Sequence, residues 1–193
     1  MKFLSKFSLA LALVLLCSIF SFAQDANQEA MMKEWQTYMA PGPEHKMLTD
    51  MVGEWEGDIT MWMDPSQPPQ TMKGATKYES VMDGRYIVGK FSGMMMGMPF
   101  NGMDITGYDN ALKVFQNVWI DNMGTGMMVL EGKYDKSTNT VTYNGKMVIP
   151  NGSKVDVRQV LKIIDKDNSI FEMYVNYGAG ETKSMEIKYK RIS

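Results

Sequence analysis

In 193 residues the chain carries one cysteine, Cys17, and one histidine, His45. That scarcity excludes several chemistries. With Cys17 in the leader, a zinc site in the rest of the chain would have to add only carboxylates to a single imidazole, and a Ser-His-Asp arrangement could recruit only His45. No Gly-x-Ser-x-Gly nucleophile elbow occurs. Charge of one sign is lacking too, with 20 Lys and Arg against 22 Asp and Glu. Neither a basic patch for nucleic acid nor a basic tail for an anionic membrane surface is present. There is no internal repeat and no long low-complexity tract.

The one long apolar run lies at the start. Lys2 and Lys6 precede an almost continuously apolar stretch from Phe7 to Phe22. Ser21-Phe22-Ala23 then places small residues at the −3 and −1 positions of a cleavage site before Gln24. The run falls short of the ~20 residues of a comfortable transmembrane helix. It is followed by polar residues without a basic stop-transfer cluster. The expectation is a signal peptide over 1–23, export to the periplasm or outside the cell, and no membrane insertion after cleavage. A rival is a lipid anchor on Cys17, although Leu16 stands where that chemistry wants a small residue. Cleavage after Ala23 leaves a mature chain without cysteine, hence without a disulfide or thiol nucleophile. Removing Lys2 and Lys6 leaves 18 basic against 22 acidic residues, a net charge of −4.

The mature part divides by periodicity. In 24–52 the pattern is helical: Met31, Met32, Trp35 and Met39 share one face, Pro41-Gly42-Pro43 stops the helix, and a short turn from Glu44 to Val52 turns Met47, Leu48, Met51 and Val52 inward. From 53 to 193 the helical period vanishes. Short runs of Val, Ile, Thr, Tyr and Phe alternate with Gly, Asn and Asp, giving about ten strands. They span Glu54 to Met63, Met72 to Met82, Arg85 to Met94, Met98 to Tyr108 and Lys113 to Asp121. The remainder span Gly126 to Tyr134, Thr140 to Val148, Lys154 to Ile164, Ser169 to Asn176 and Thr182 to Arg191. Asp83-Gly84, Asn151-Gly152 and Gly178-Ala179-Gly180 have hairpin-turn chemistry. Pro65 to Pro69 is a longer connection at an open rim.

Sequential hairpins imply an all-β, antiparallel up-and-down barrel with a short N-terminal helical segment; a two-sheet sandwich is the alternative. On the first strand Trp55, Gly57, Ile59, Met61 and Met63 share one face. On the last, Met185, Ile187, Tyr189 and Arg191 do. If both faces point inward and the two strands pair, Arg191 stacks on Trp55. Gly53, Trp55 and Arg191 are therefore the expected closure of the barrel, with Trp55 as its floor.

Gly53-x-Trp55 with a late Arg191 resembles the calycin superfamily, the lipocalin-like barrels. More closely, the chain is similar to a bacterial domain-of-unknown-function family, number 1579. The stretches that carry this likeness are P-G-P-E-H-K-M-L at 41–48, G-E-W-E-G at 53–57, M-G-M-P-F at 96–100, T-G-Y-D-N at 106–110 and W-I-D-N-M-G-T-G at 119–126. The resemblance implies a fold and leaves the function open. The opening strand also resembles that of nitrobindin-like haem proteins. Those need an axial histidine on a late strand, and here there is none, so no cofactor is expected.

Methionine is the compositional anomaly, with 21 residues and a dense cluster at Met94-Met95-Met96-Gly97-Met98. Thioethers can select Cu(I); equally, Met fills irregular apolar space or gives a pliable surface to an apolar ligand. No repeated metal-binding cassette supports copper, and no metal site is assigned. The expected function is non-covalent binding of a small apolar or amphipathic molecule, with Met61, Met63, Met96, Tyr108, Trp119, Asp121 and Arg158 as candidate contacts. Two of these stay ambiguous. Trp119 and Asp121 share a face with Phe115 and Asn117, yet Val114, Val118 and Ile120 make the opposite face more apolar. Arg158 shares its face with both Val160 and Lys162. Asp104, Asp121 and Glu172 are carboxylates in apolar-rich strands, the only acid-base candidates for a weak hydrolase or isomerase. No catalytic residue is assigned. A packed barrel serving as a structural or interaction module is the remaining alternative.

Overall fold

The computed structural model describes residues 27–64 and 66–193. The leader reading over 1–23, with Cys17, lies outside the described residues. The N-terminal unit, which ends at Ala40, contains helix α1 over 27–39. Its apolar residues Met31, Met32, Trp35 and Met39 are each about half exposed. Trp35 sets its ring edge-on to Tyr38, with centroids 5.7 Å apart.

The second unit, Pro41–Ser193, contains helix α2 (Pro43–Thr49) and ten strands. These are β1 (Gly53–Met61), β2 (Gln70–Val81), β3 (Tyr86–Met95), β4 (Met98–Asp109), β5 (Val114–Asp121), β6 (Met128–Asp135), β7 (Thr140–Val148), β8 (Lys154–Ile163), β9 (Asn168–Asn176) and β10 (Glu181–Arg191). Each strand pairs antiparallel with its chain neighbours, and β1 pairs with β10, so the meander closes into a barrel. Full closure removes the exposed sheet edges that a sandwich would leave. The first expected strand ends at Met61; Trp62 and Met63 turn out of it into the long β1–β2 connection.

The β1–β10 register pairs Trp55 with Arg191, Ile59 with Ile187 and Met61 with Met185. Alternation does the rest: Trp55, Gly57 and Ile59 are buried while Glu54, Glu56 and Asp58 are exposed. One end of the barrel carries α2 and the β2–β3, β4–β5, β6–β7 and β8–β9 turns. The other carries the remaining connections, including the Met95–Met98 turn.

The α2 end is a built floor. Pro43 starts the helix, where a missing N–H costs nothing, and the Gly42 N–H donates to His45 Nδ1 at 3.0 Å. His45 is buried, its ring edge-on to Tyr108 at 5.7 Å. Leu48 is buried as well, and Met47, Leu48 and Met51 form the bottom of the lumen. Trp55 donates through Nε1 to the Met51 carbonyl at 2.8 Å, and the Arg191 guanidinium lies 4.3 Å above its ring. That guanidinium also donates to the carbonyls of Asp50 at 2.6 Å and Lys166 at 3.0 Å, and to that of Val52. Gly53 has φ +136°, and a Cβ there would sit 2.4 Å from the Ser193 carbonyl oxygen. Only glycine fits that close approach of the start of β1 to Ser193.

Candidate functional site

Above this floor the barrel is hollow. A cavity of about 500 Å³ runs from Met51 and Leu48 up to the opposite end, where Met95, Met123 and Met127 form part of its wall. Its middle is lined by Ile59, Phe91, Phe115, Met128, Met173 and Ile187. Thioethers and branched chains give it an apolar, adaptable surface. The volume falls within the ~300–1,000 Å³ of small-molecule sites.

The polar groups are few and local. Asp104 on β4 is half-buried and lines the cavity. Its Oδ2 accepts a hydrogen bond from Thr106 Oγ1 at 3.0 Å and a long one from Asn117 Nδ2 at 3.4 Å, and Asn117 also donates to Thr106 at 2.7 Å. Thr106 follows it by two on β4, toward the floor, while Asn117 comes from the neighbouring strand. On the other side Asp104 is registered against Gly89. A Cβ at Gly89 would lie 2.1 Å from Asp104 Oδ1 and 2.5 Å from the Tyr78 ring, so the missing side chain is the space the carboxylate occupies. No cation pairs with Asp104 among the described residues. Burial therefore raises its carboxyl to about 7, only partly offset by the Thr106 hydrogen bond. Tyr78, Tyr143 and Tyr189 project into the same space. Burial raises all three phenols, that of Tyr189 to about 12, and the charge of Asp104 raises them further. Thr76, on β2 two residues before Tyr78, is buried, and its hydroxyl partly offsets the rise at Tyr189.

Toward the open end an aromatic step crosses the lumen. Trp119 lies over Gly102, where a Cβ would meet its ring at 2.2 Å. Phe100 stands 6.4 Å from Trp119 and 5.7 Å from Phe91, centroid to centroid. Trp119 Nε1 donates to Asp121 Oδ2 at 2.8 Å, and Asp121 Oδ1 accepts the backbone N–H groups of Met123 and Gly124 at 2.9 and 3.1 Å. Asp121 thus pins both the indole and the β5–β6 loop.

Of the residues singled out from sequence, Met61, Trp119 and Asp121 line the cavity. The β5 ambiguity resolves in favour of the aromatic and polar face, and Val118 and Ile120 look outward. Met63 and Met96 stand apart from the lumen, 60% and 63% exposed in the β1–β2 and β3–β4 connections. Met96 is in left-handed backbone, φ 51°, where the two-residue hairpin needs it. Tyr108 packs below the cavity between His45 and Phe115. Arg158 is on the outer wall, because its neighbours Val157 and Gln159 are the buried, inward positions of β8. There it stacks on Tyr174 at 4.0 Å and forms a two-pronged pair with Glu181 at 2.9 and 2.7 Å. Glu172 is outside too, tied to Lys183 at 2.5 Å, which holds its carboxyl below the usual range. Sequence reasoning did not single out Thr106, Tyr78, Tyr143 or Gln159. The signal available was Gly89 and Gly102, glycines on the inner face that mark where a neighbour's side chain crosses the wall. No group of three or more His, Cys, Asp or Glu among the described residues is placed to hold a metal ion.

The family described as "Protein of unknown function (DUF1579)" matches residues 40–191, and the chain belongs to it. Among solved structures the chain is similar in fold to Rv2717c from M. tuberculosis, with a TM-score of 0.61 and 13% identity, over 80% of this chain and 100% of that one. No curated protein matches the chain.

Proposed function

We propose that this member of the family is an exported binding protein that holds a small apolar or amphipathic molecule inside its barrel. The observation that carries the reading is the hollow lumen, about 500 Å³, floored by α2 and walled by methionines and aromatics around one small polar group. A barrel used only as a scaffold gains stability by filling that space, since empty apolar volume costs about 24 cal/mol per Å³. Leaving it hollow fits a site that an occupant completes. Support for export comes from the leader pattern alone.

Native mass spectrometry of protein purified from its own source tests both halves. The expected result is a mature chain beginning at Gln24 that retains a small molecule, released when Trp119→Ala opens the aromatic step. A chain that arrives empty and binds no neutral apolar dye in a saturable way refutes the carrier reading. A second reading rests on Asp104 alone: a carboxyl raised to about 7 in an apolar cavity is suited to proton transfer at a carbon acid. It expects deuterium exchange beside the carbonyl of a bound ketone, abolished by Asp104→Asn.

A further inference from the structure

The charged groups that line the lumen are of one sign. Asp104 and Asp121 line it, and among the described residues no Lys, Arg or His does. Asp121 is committed, its two oxygens taken by the Trp119 indole and two backbone N–H groups. Asp104 is not. Both of its hydrogen bonds come from neutral donors and go to Oδ2, and it makes no ion pair. A carboxylate left in apolar surroundings without a cation is costly. In a binding cavity the missing cation can be supplied by the occupant.

The groups facing Asp104 suit that occupant. Tyr78 comes from β2, Tyr143 from β7 and Tyr189 from β10, while Thr106 on β4 and Asn117 on β5 hold Oδ2. Gly89 on β3 leaves the carboxylate its space. None of these brings a positive charge. The three tyrosine rings add the electron-rich faces that attract organic cations. Around them Ile59, Ile187, Met128, Met173 and Phe115 offer an alkyl chain apolar cover.

We infer that the lumen selects a cationic amphiphile, an alkylammonium whose charged head rests on Asp104 among Tyr78, Tyr143 and Tyr189 and whose chain runs toward Trp119. This rests on the carrier reading and narrows it to one ligand class. It sets the protein against fatty acids, whose carboxylate would meet Asp104 with no basic residue lining the cavity. It also couples binding to pH. The carboxyl of the empty protein lies near 7, whereas an alkylammonium stays charged to about 10. Binding therefore expels the Asp104 proton, and affinity falls as the medium is acidified.

The test is displacement of a neutral dye, N-phenyl-naphthylamine, by decylammonium, decanol and decanoate, all of one chain length. Decylammonium is expected to bind at least about tenfold more tightly than decanol at about pH 8, with decanoate weakest. That preference should shrink about tenfold on going to about pH 6. It should vanish in Asp104→Asn, whose amide oxygen can accept the same two hydrogen bonds, and the ratio of decylammonium to decanol affinity within that variant is the readout. Equal binding of the three probes, or tightest binding of decanoate, overturns the ligand class while the dye signal keeps the carrier reading alive. A preference for decylammonium that survives Asp104→Asn, or is flat with pH in the unaltered protein, overturns the role of Asp104. If neither dye nor any probe binds, the carrier reading and the inference fall together.

Discussion

Replacing Arg191 by Met tests the floor most directly. The Arg191 side chain is 19% exposed, and its guanidinium satisfies the carbonyls of Asp50, Val52 and Lys166 and covers the Trp55 ring. A hydrogen bond to a charged group contributes about 1.5–3 kcal/mol, and a stacked cation about 0.5–2 kcal/mol. These do not add, because one guanidinium is desolvated once and its partners share that cost. A total near 3 kcal/mol is the reasoned value, about a fifth to three fifths of the stability of an ordinary domain. For a domain of this size each kcal/mol shifts the midpoint by about 2–4 °C, so Arg191→Met should melt about 6–12 °C lower. Arg191→Lys, which keeps the charge but loses the planar fork, should recover less than half of the loss. Thermal unfolding followed by circular dichroism and tryptophan fluorescence reads both. A double-mutant cycle with Trp55→Leu isolates the stack. A midpoint within about 2 °C of the parent protein for Arg191→Met would show that the latch is ornamental and refute the account.

The other predictions concern the lumen, the floor and one turn. Asp104 has a carboxyl raised from its unfolded value of about 3.9 to about 7 in the folded protein. The folded state therefore holds the extra proton, and stability present below about pH 4 is lost as pH rises through about 7. The ceiling on that loss is roughly 4 kcal/mol, reduced by water in the open cavity. Asp104→Asn should flatten the pH profile from urea titrations and exceed the parent protein above about pH 7; parallel profiles would refute it. Gly89→Ala puts a methyl group 2.1 Å from the Asp104 carboxylate. It should cost about 1–3 kcal/mol, read as a lower urea midpoint, and weaken ligand binding beyond what stability explains. Leu48→Ala, at a buried floor position, should cost about 2–5 kcal/mol and enlarge the cavity downward. Met96→Asn, at an exposed left-handed position, should stabilise by a few tenths of a kcal/mol or about 1 at most, because Asn-Gly suits that turn.

Much of the fold was legible because the strands carry their own punctuation. The strand ends agree with the sequence reading to within about two residues, and the closing pair of Trp55 and Arg191 followed from the faces of two strands far apart in the chain. The site was less legible for a physical reason. Burial rules assume that the more apolar face of a strand points inward, and this interior is a cavity. On β5 the outward Val118 is registered between Ile105 and Val129, which are 44% and 56% exposed, while Asn117, Trp119 and Asp121 face in. A wall like that inverts the usual pattern. The methionines misled in a second way. Met61 and Met63 lie two residues apart and look equivalent as strand positions, yet the strand stops between them. Asp104 was visible as a carboxylate among apolar neighbours, but its surroundings depend on five other strands. Their register is a property of the closed barrel and of no single segment.

The latch at the floor also sets an order of events. Arg191 reaches carbonyls 139 and 141 positions earlier in the chain, and β1 finds its second partner only in β10. Contacts that distant form late and slowly. Until then β1 and β10 each present an unpaired edge that can template aggregation. Without β10 the barrel wall is open, so the cavity is complete only when the last strand pairs with β1. Floor and final seam are thereby locked together, because Arg191 on β10 pairs with Trp55 across the seam and also holds the carbonyls of Asp50 and Val52.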